Sequence, residues 1–179
     1  MPTWIALFRG INVGGSNVLP MKELVRVLES LGLKDVQTYI QSGNVVFQSS
    51  GKPPAKLNEK IAAAIQKRRG FRPHVLILSA ARLNEIAASN PFPEAEANPK
   101  SLHVFFLDST PGTGPGTDLK SLTKIKAPAE RFRLIDDVFY LHAPDGIGRS
   151  RLAASVEKRL GVPTTARNWR TVQKLIEMA

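Results

Sequence analysis

The sequence predicts an α+β protein: a ferredoxin-like βαββαβ unit followed by a second, related α+β unit and a C-terminal helix. Three observations predict it. Short apolar runs bounded by glycine alternate with segments of helical spacing over residues 3–78, in the order βαββαβ. A proline-rich stretch from Asn90 to Pro99 then interrupts the pattern. After it, the same order of elements resumes at residue 102. The boundary divides the chain into subdomains 1–92 and 93–179.

Each element has its own signal. Residues 3–9 are apolar and stop at Gly10, which reads as a strand. Pro20 suits the first turn of a helix, Met21, Leu24, Leu28 and Leu31 follow at helical spacing, and Gly32 ends the run. Residues 35–41 and 44–49 are β-rich and flank Gly43-Asn44, which reads as a tight hairpin turn exposed at its tip. Pro53 and Pro54 open a second helix, Leu57, Ile61, Ala64 and Ile65 form its stripe, and Gly70 closes it. Residues 74–78 form a buried-looking strand, and a short helix is expected at about 80–89.

In the second half, 102–107 reads as a strand and 118–125 as a short helix. Residues 131–135 and 138–142 read as a hairpin around Asp136-Asp137, and Leu152, Val156 and Leu160 mark another helix. A last helix is expected over 166–178, with Thr165 as its N-cap, and it has no counterpart in the first half. Trp169, Val172, Leu175 and Ile176 give it a packing face.

Composition narrows the function classes. The apolar fraction of 42% and charged fraction of 22% are those of a folded globular protein. The absence of cysteine excludes disulfides, thiolate nucleophiles and cysteine-ligated metals within the chain, and fits a cytoplasmic setting. The first residues do not read as a secretory signal, and no apolar run is long enough to span a bilayer. The net charge is +10, from 25 Lys and Arg against 15 Asp and Glu. It is uneven: +7 over residues 1–93 and +3 over 94–179. Such an excess suits polyanionic partners, although a solubilising surface would show it too.

Two segments concentrate polar side chains beside glycines: Arg9 to Asn17, and Thr38 to Phe47. In the first, Gly14 and Gly15 allow close approach to a ligand, Arg9 offers a bidentate fork, Asn12 an amide and Lys22 a point charge. The spacing is neither a Walker loop nor a dinucleotide fingerprint. In the second, Ser42 and Asn44 flank a turn. Ser42 lacks a nucleophile elbow and an adjacent base, and plain turn chemistry explains the same residues. In a third segment, Arg167, Arg170 and Lys174 would line one side of the last helix. His74, His103 and His142 show no paired metal-ligand spacing, so neither a metal nor another cofactor is expected.

At these residues the chain resembles a widespread bacterial family of proteins of unknown function. The resemblance is carried by Phe8 to Gly15, Met21 to Leu24, Tyr39 to Phe47, Asn90-Pro91-Phe92 and Arg167 to Thr171. It implies a two-part α+β fold with a ferredoxin-like unit, and places Arg9, Asn12, Lys22, Ser42, Asn44, Arg167 and Asn168 in the family signature. It implies no activity. The leading expectation is a non-catalytic binding module for a phosphate-rich partner, nucleic acid foremost. The alternatives are an enzyme acting on a small phosphorylated or nucleotide substrate, and an adaptor that meets an acidic protein.

Overall fold

The computed structural model describes residues 1–51, 55–112 and 117–179. Pro53 and Pro54 lie outside the described residues. In chain order the elements are β1 (Thr3–Arg9), α1 (Met21–Ser30), β2 (Lys34–Tyr39), β3 (Asn44–Gln48), α2 (Leu57–Arg69), β4 (His74–Ser79) and α3 (Ala80–Ala88). After a short 3-10 turn (Pro93–Ala97) come β5 (Leu102–Leu107), α4 (Leu119–Ile125), β6 (Arg131–Ile135), β7 (Val138–His142), α5 (Arg151–Leu160), β8 (Thr164–Asn168) and α6 (Trp169–Met178).

The strands form two four-stranded antiparallel sheets, ordered β2-β3-β1-β4 and β6-β7-β5-β8. Each has the ferredoxin-like arrangement, with the first strand between the third and fourth. The chain divides into two compact units, Met1–Glu85 with Lys174–Ala179, and Ile86–Gln173.

In the first unit the strand period of two sends Ala6 and Phe8 of β1, and Val45 and Phe47 of β3, to one face. There they are buried with Leu24 and Leu28 of α1 and Ile61 and Ile65 of α2. Ile5 and Leu7, on the other face, are also fully buried. A strand covered on both sides reads as a continuous apolar run, which is why residues 5–8 show no polar alternation. The second unit repeats the plan. Phe105, Phe139 and Leu141 are buried with Leu122 of α4 and Leu152 and Val156 of α5. Phe139 meets Phe105 edge-on at 5.7 Å and stacks on Phe132 at 5.2 Å.

Three expectations are corrected. Residues 164–168 are a strand, not the start of a helix: Thr164 to Asn168 pair with Leu107 to His103. The N-cap of α6 is therefore Asn168, whose Oδ1 accepts from Thr171 N at 2.9 Å, and not Thr165. Nor does the last helix lack a counterpart. α3 follows β4 without a gap, as α6 follows β8, so each half reads βαββαβα. Finally, the first hairpin is joined by four residues, 40–43, and Asn44 is the first residue of β3, fully buried rather than exposed at a tip.

Candidate functional site

The β1–α1 connection is a self-braced loop. Gly10, Asn12, Gly14, Gly15 and Asn17 all have positive φ, between 51° and 78°. Asparagine and glycine are the residues that tolerate this region. Val13 and Ser16 form a small bridge, with Gly14 and Gly15 as the turn between them. Positive φ at both central positions is the geometry that matches strand twist in a two-residue turn. Asn12 N donates to Asn17 O at 3.1 Å, and Asn17 Nδ2 to Gly10 O at 2.8 Å.

The Asn12 side chain fastens this loop to the hairpin tip. Its Nδ2 donates to Leu19 O at 2.9 Å and to Gln41 O at 2.8 Å, while its Oδ1 accepts from Leu19 N at 2.7 Å. Both amide hydrogens are thereby committed to backbone carbonyls, so Asn12 builds the platform and has no hydrogen left for a ligand. Gly43 locks the other side. Its carbonyl accepts from Phe8 N at 2.8 Å, and a Cβ there would sit 2.5 Å from Phe8 Cβ and 2.7 Å from Ile11 Cδ1. Asn44 Nδ2 donates to Tyr39 O at 3.1 Å and to Ser42 Oγ at 3.0 Å from within the sheet. An amide hydrogen donated to Ser42 holds its hydroxyl without taking a proton from it, so this contact does not create a nucleophile. Ile40, at the tip, is held at φ 50°, a strained value for a β-branched residue, and is 52% exposed.

What the platform displays is distinct from what builds it. Arg9 is exposed at the end of β1, opposite His74 on β4. Lys22 is exposed in the first turn of α1. Gly14 and Gly15 are exposed, and their N–H groups meet no acceptor among the described residues. Val13 is 66% and Val18 53% exposed. No acidic residue occurs from Arg9 to Lys22 or from Val36 to Gln48.

Arg167 and Asn168 belong to the second unit. Arg167 is on β8 opposite Val104, and its Nη1 donates to Ala166 O at 2.8 Å. Burial lowers its pKa to about 10. Since it lies on a strand, it does not form a helical stripe with Arg170 and Lys174. Asn168 caps α6 and sits opposite His103.

Two features were missed from sequence. A shallow cleft of about 120 Å³ lies between α2 and the start of β4, lined by Asn58, Glu59, Arg72 and His74 among others. The second is an ion pair between helices: Arg69 Nε donates to Glu23 Oε1 at 2.9 Å and Arg69 Nη2 to Glu23 Oε2. The available signal was a lone Glu23 amid Lys22, Arg26 and the Lys67-Arg68-Arg69 run. Among the described residues, no group of three or more His, Asp or Glu could hold a metal ion. No helix is long and apolar enough to cross a membrane.

A twofold ferredoxin-like α+β protein with a glycine- and asparagine-built platform is the class these features define. The chain belongs to the family described as protein of unknown function (DUF1697), which matches residues 1–140. It is similar in fold to a solved structure titled as that of conserved bacterial protein SP0830 from Streptococcus pneumoniae. The likeness has a TM-score of 0.71 at 24% identity and covers 99% of this chain and 98% of that one. No curated protein matches the chain.

Proposed function

We propose that the protein is a non-catalytic binding module for a phosphate-rich partner, with nucleic acid as the leading class, acting in the cytoplasm. The observation that carries this reading is the first unit's platform, whose segments from Arg9 to Lys22 and from Val36 to Gln48 hold no acidic residue and which displays Arg9, Lys22 and the open N–H groups of Gly14 and Gly15. Guanidinium, ammonium and backbone N–H are the groups that contact phosphate oxygens without reading sequence. Five residues of positive φ and two asparagine side chains hold the display in place before any partner arrives, which lowers the ordering cost of binding.

The test is titration of duplex DNA and RNA at several salt concentrations. The reading expects affinity to fall linearly on a log–log plot, with a slope of about 0.9 per phosphate contact on duplex DNA. Salt-independent binding, or none at low salt, refutes it. The preformed platform also supports a second reading, an enzyme acting on a small phosphorylated or nucleotide substrate, in which Arg9 and Lys22 clamp the anion. A thermal-shift screen separates the two. A small ligand at 100 times its Kd would stabilise the fold by about 2.7 kcal/mol, an effect the binding-module reading does not expect.

A further inference from the structure

Beyond Lys22, which the platform already displays, the α1–α2 face of the first unit carries further cations: Arg26, Lys67 and Arg68. α1 and α2 are in contact, and the Glu23–Arg69 pair ties the first turn of one to the last turn of the other. Arg26 lies one helical turn from Glu23 and on the same stripe as Lys22, while Arg68 precedes Arg69. Arg69, then Arg68 and Arg26, hold the Glu23 carboxyl below the usual carboxylate range. Glu23 is thus committed to Arg69, and the other carboxylates of the two helices, Glu29 and Glu59, are exposed and form no ion pair among the described residues. Lys22, Arg26, Lys67 and Arg68 are exposed, and their side chains make no hydrogen bond or ion pair among the described residues.

Helix dipoles explain part of this arrangement and not the rest. Cations at 67–69 complement the C-terminus of α2. On α1, Glu23 suits the dipole of the first turn, but Lys22 beside it opposes that dipole, Arg26 stands mid-helix, and the last turn has no basic residue. We propose that the outward face of α1 and α2 is a nucleic-acid backbone interface, with Arg26 and Arg68 as phosphate contacts and the Glu23–Arg69 pair positioning them. The inference rests on the phosphate-partner reading and adds its location. The chemistry of the face selects this partner over others. No exposed large hydrophobic residue lies on α1 or α2. A protein interface would need an apolar or aromatic centre and a membrane-surface helix an apolar edge, whereas nucleic-acid interfaces are polar and positively charged.

The experiment compares salt slopes for duplex DNA and RNA with four proteins: wild type, Arg26→Ala/Arg68→Ala, Arg26→Lys/Arg68→Lys, and the second-unit control Lys120→Ala/Lys158→Ala. Thermal melting checks each fold, and the ion pair that ties the helices is untouched. The alanine pair should lose about 1 from the slope per residue, the lysine pair should retain it, and the control should stay near wild type. Wild-type binding with an unchanged slope in the alanine pair overturns this interface while leaving the phosphate-partner reading intact. No wild-type binding at low salt refutes both. Binding to vesicles of anionic phospholipid that exceeds nucleic-acid binding and is lost in the alanine pair overturns the choice of partner.

Discussion

The two units share a topology, yet they treat the same connection in opposite ways. In each, the carbonyl of the residue just before the third strand accepts from the first strand: Phe8 N to Gly43 O at 2.8 Å, and Leu107 N to Asp137 O at 2.9 Å. These bonds align Arg9, the last residue of β1, with Asp108, the residue just after β5. From there the first unit runs through a braced loop to Pro20, which gives α1 no side-chain cap, and on to Lys22. The second runs to Asp118, whose carboxylate accepts from Ser121 N at 2.9 Å and caps α4. Hydrogen bonds from Ser121 hold that carboxyl below its ordinary range. The comparison teaches that the second unit spends its charge on a helix terminus, where an anion stabilises. At this connection the first unit instead leaves α1 uncapped and sets Lys22 beside Glu23 in its first turn, where the lysine opposes the dipole that the glutamate suits.

The comparison can be broken first at the cores, which should be alike. Phe47→Ala and Leu141→Ala each delete a fully buried side chain from their sheet's core, and each should cost about 3–5 kcal/mol in chemical denaturation. A cost below about 1 kcal/mol for either would show that its unit is not independently packed.

The hairpins should differ. Gly43→Ala adds a Cβ against Phe8 and Ile11 at φ 78° and should destabilise by about 2–3 kcal/mol. Asp136, at φ 51° in the shorter hairpin, should accept glycine within about 1 kcal/mol. A tolerated Gly43→Ala would refute the interlock of tip and loop.

Next in size is the platform's clamp. Asn12→Ala removes three hydrogen bonds and should cost about 2 kcal/mol. Asn12→Gly keeps the positive φ and loses only the bonds, so it should fall between alanine and wild type.

The smallest effect is a pH dependence centred on the second unit. Burial lowers the pKa of His103 and, with the Arg131 charge beside it, that of His142. The unfolded chain then binds more protons than the folded one just below the ordinary histidine value of about 6.5. Their contribution is complete above that pH and is lost as pH falls through it toward the depressed folded values. Melting temperature should drop between pH 7.5 and 5, by less in His103→Leu. An equal drop in that variant would remove His103 from the account.

Much of this fold is legible in the sequence, for particular reasons. The strands at 3–9, 102–107, 131–135 and 138–142 are apolar runs between clear turn residues. β8 was not legible: Thr-Thr-Ala-Arg-Asn has no apolar run, enters α6 without a break, and is made a strand only by pairing with β5. Gly43-Asn44 signals a turn whether Asn44 lies outside or inside the sheet, so its burial could not be read. Glu23 and Arg69 are 46 residues apart, and only the packing of α1 on α2 joins them. The asparagines of the platform were visible as special, but whether an amide faces a ligand or a backbone carbonyl is a property of the folded loop alone.

The most direct measurement is an amide NMR titration of the full chain with short duplex nucleic acid at low salt. The account predicts shifts that grow and saturate together at Arg9, Gly14, Gly15, Lys22, Arg26 and Arg68, while the second unit's Lys120, Lys158 and Asp108 stay still. Shifts confined to the second unit, or none at any ratio, would contradict it.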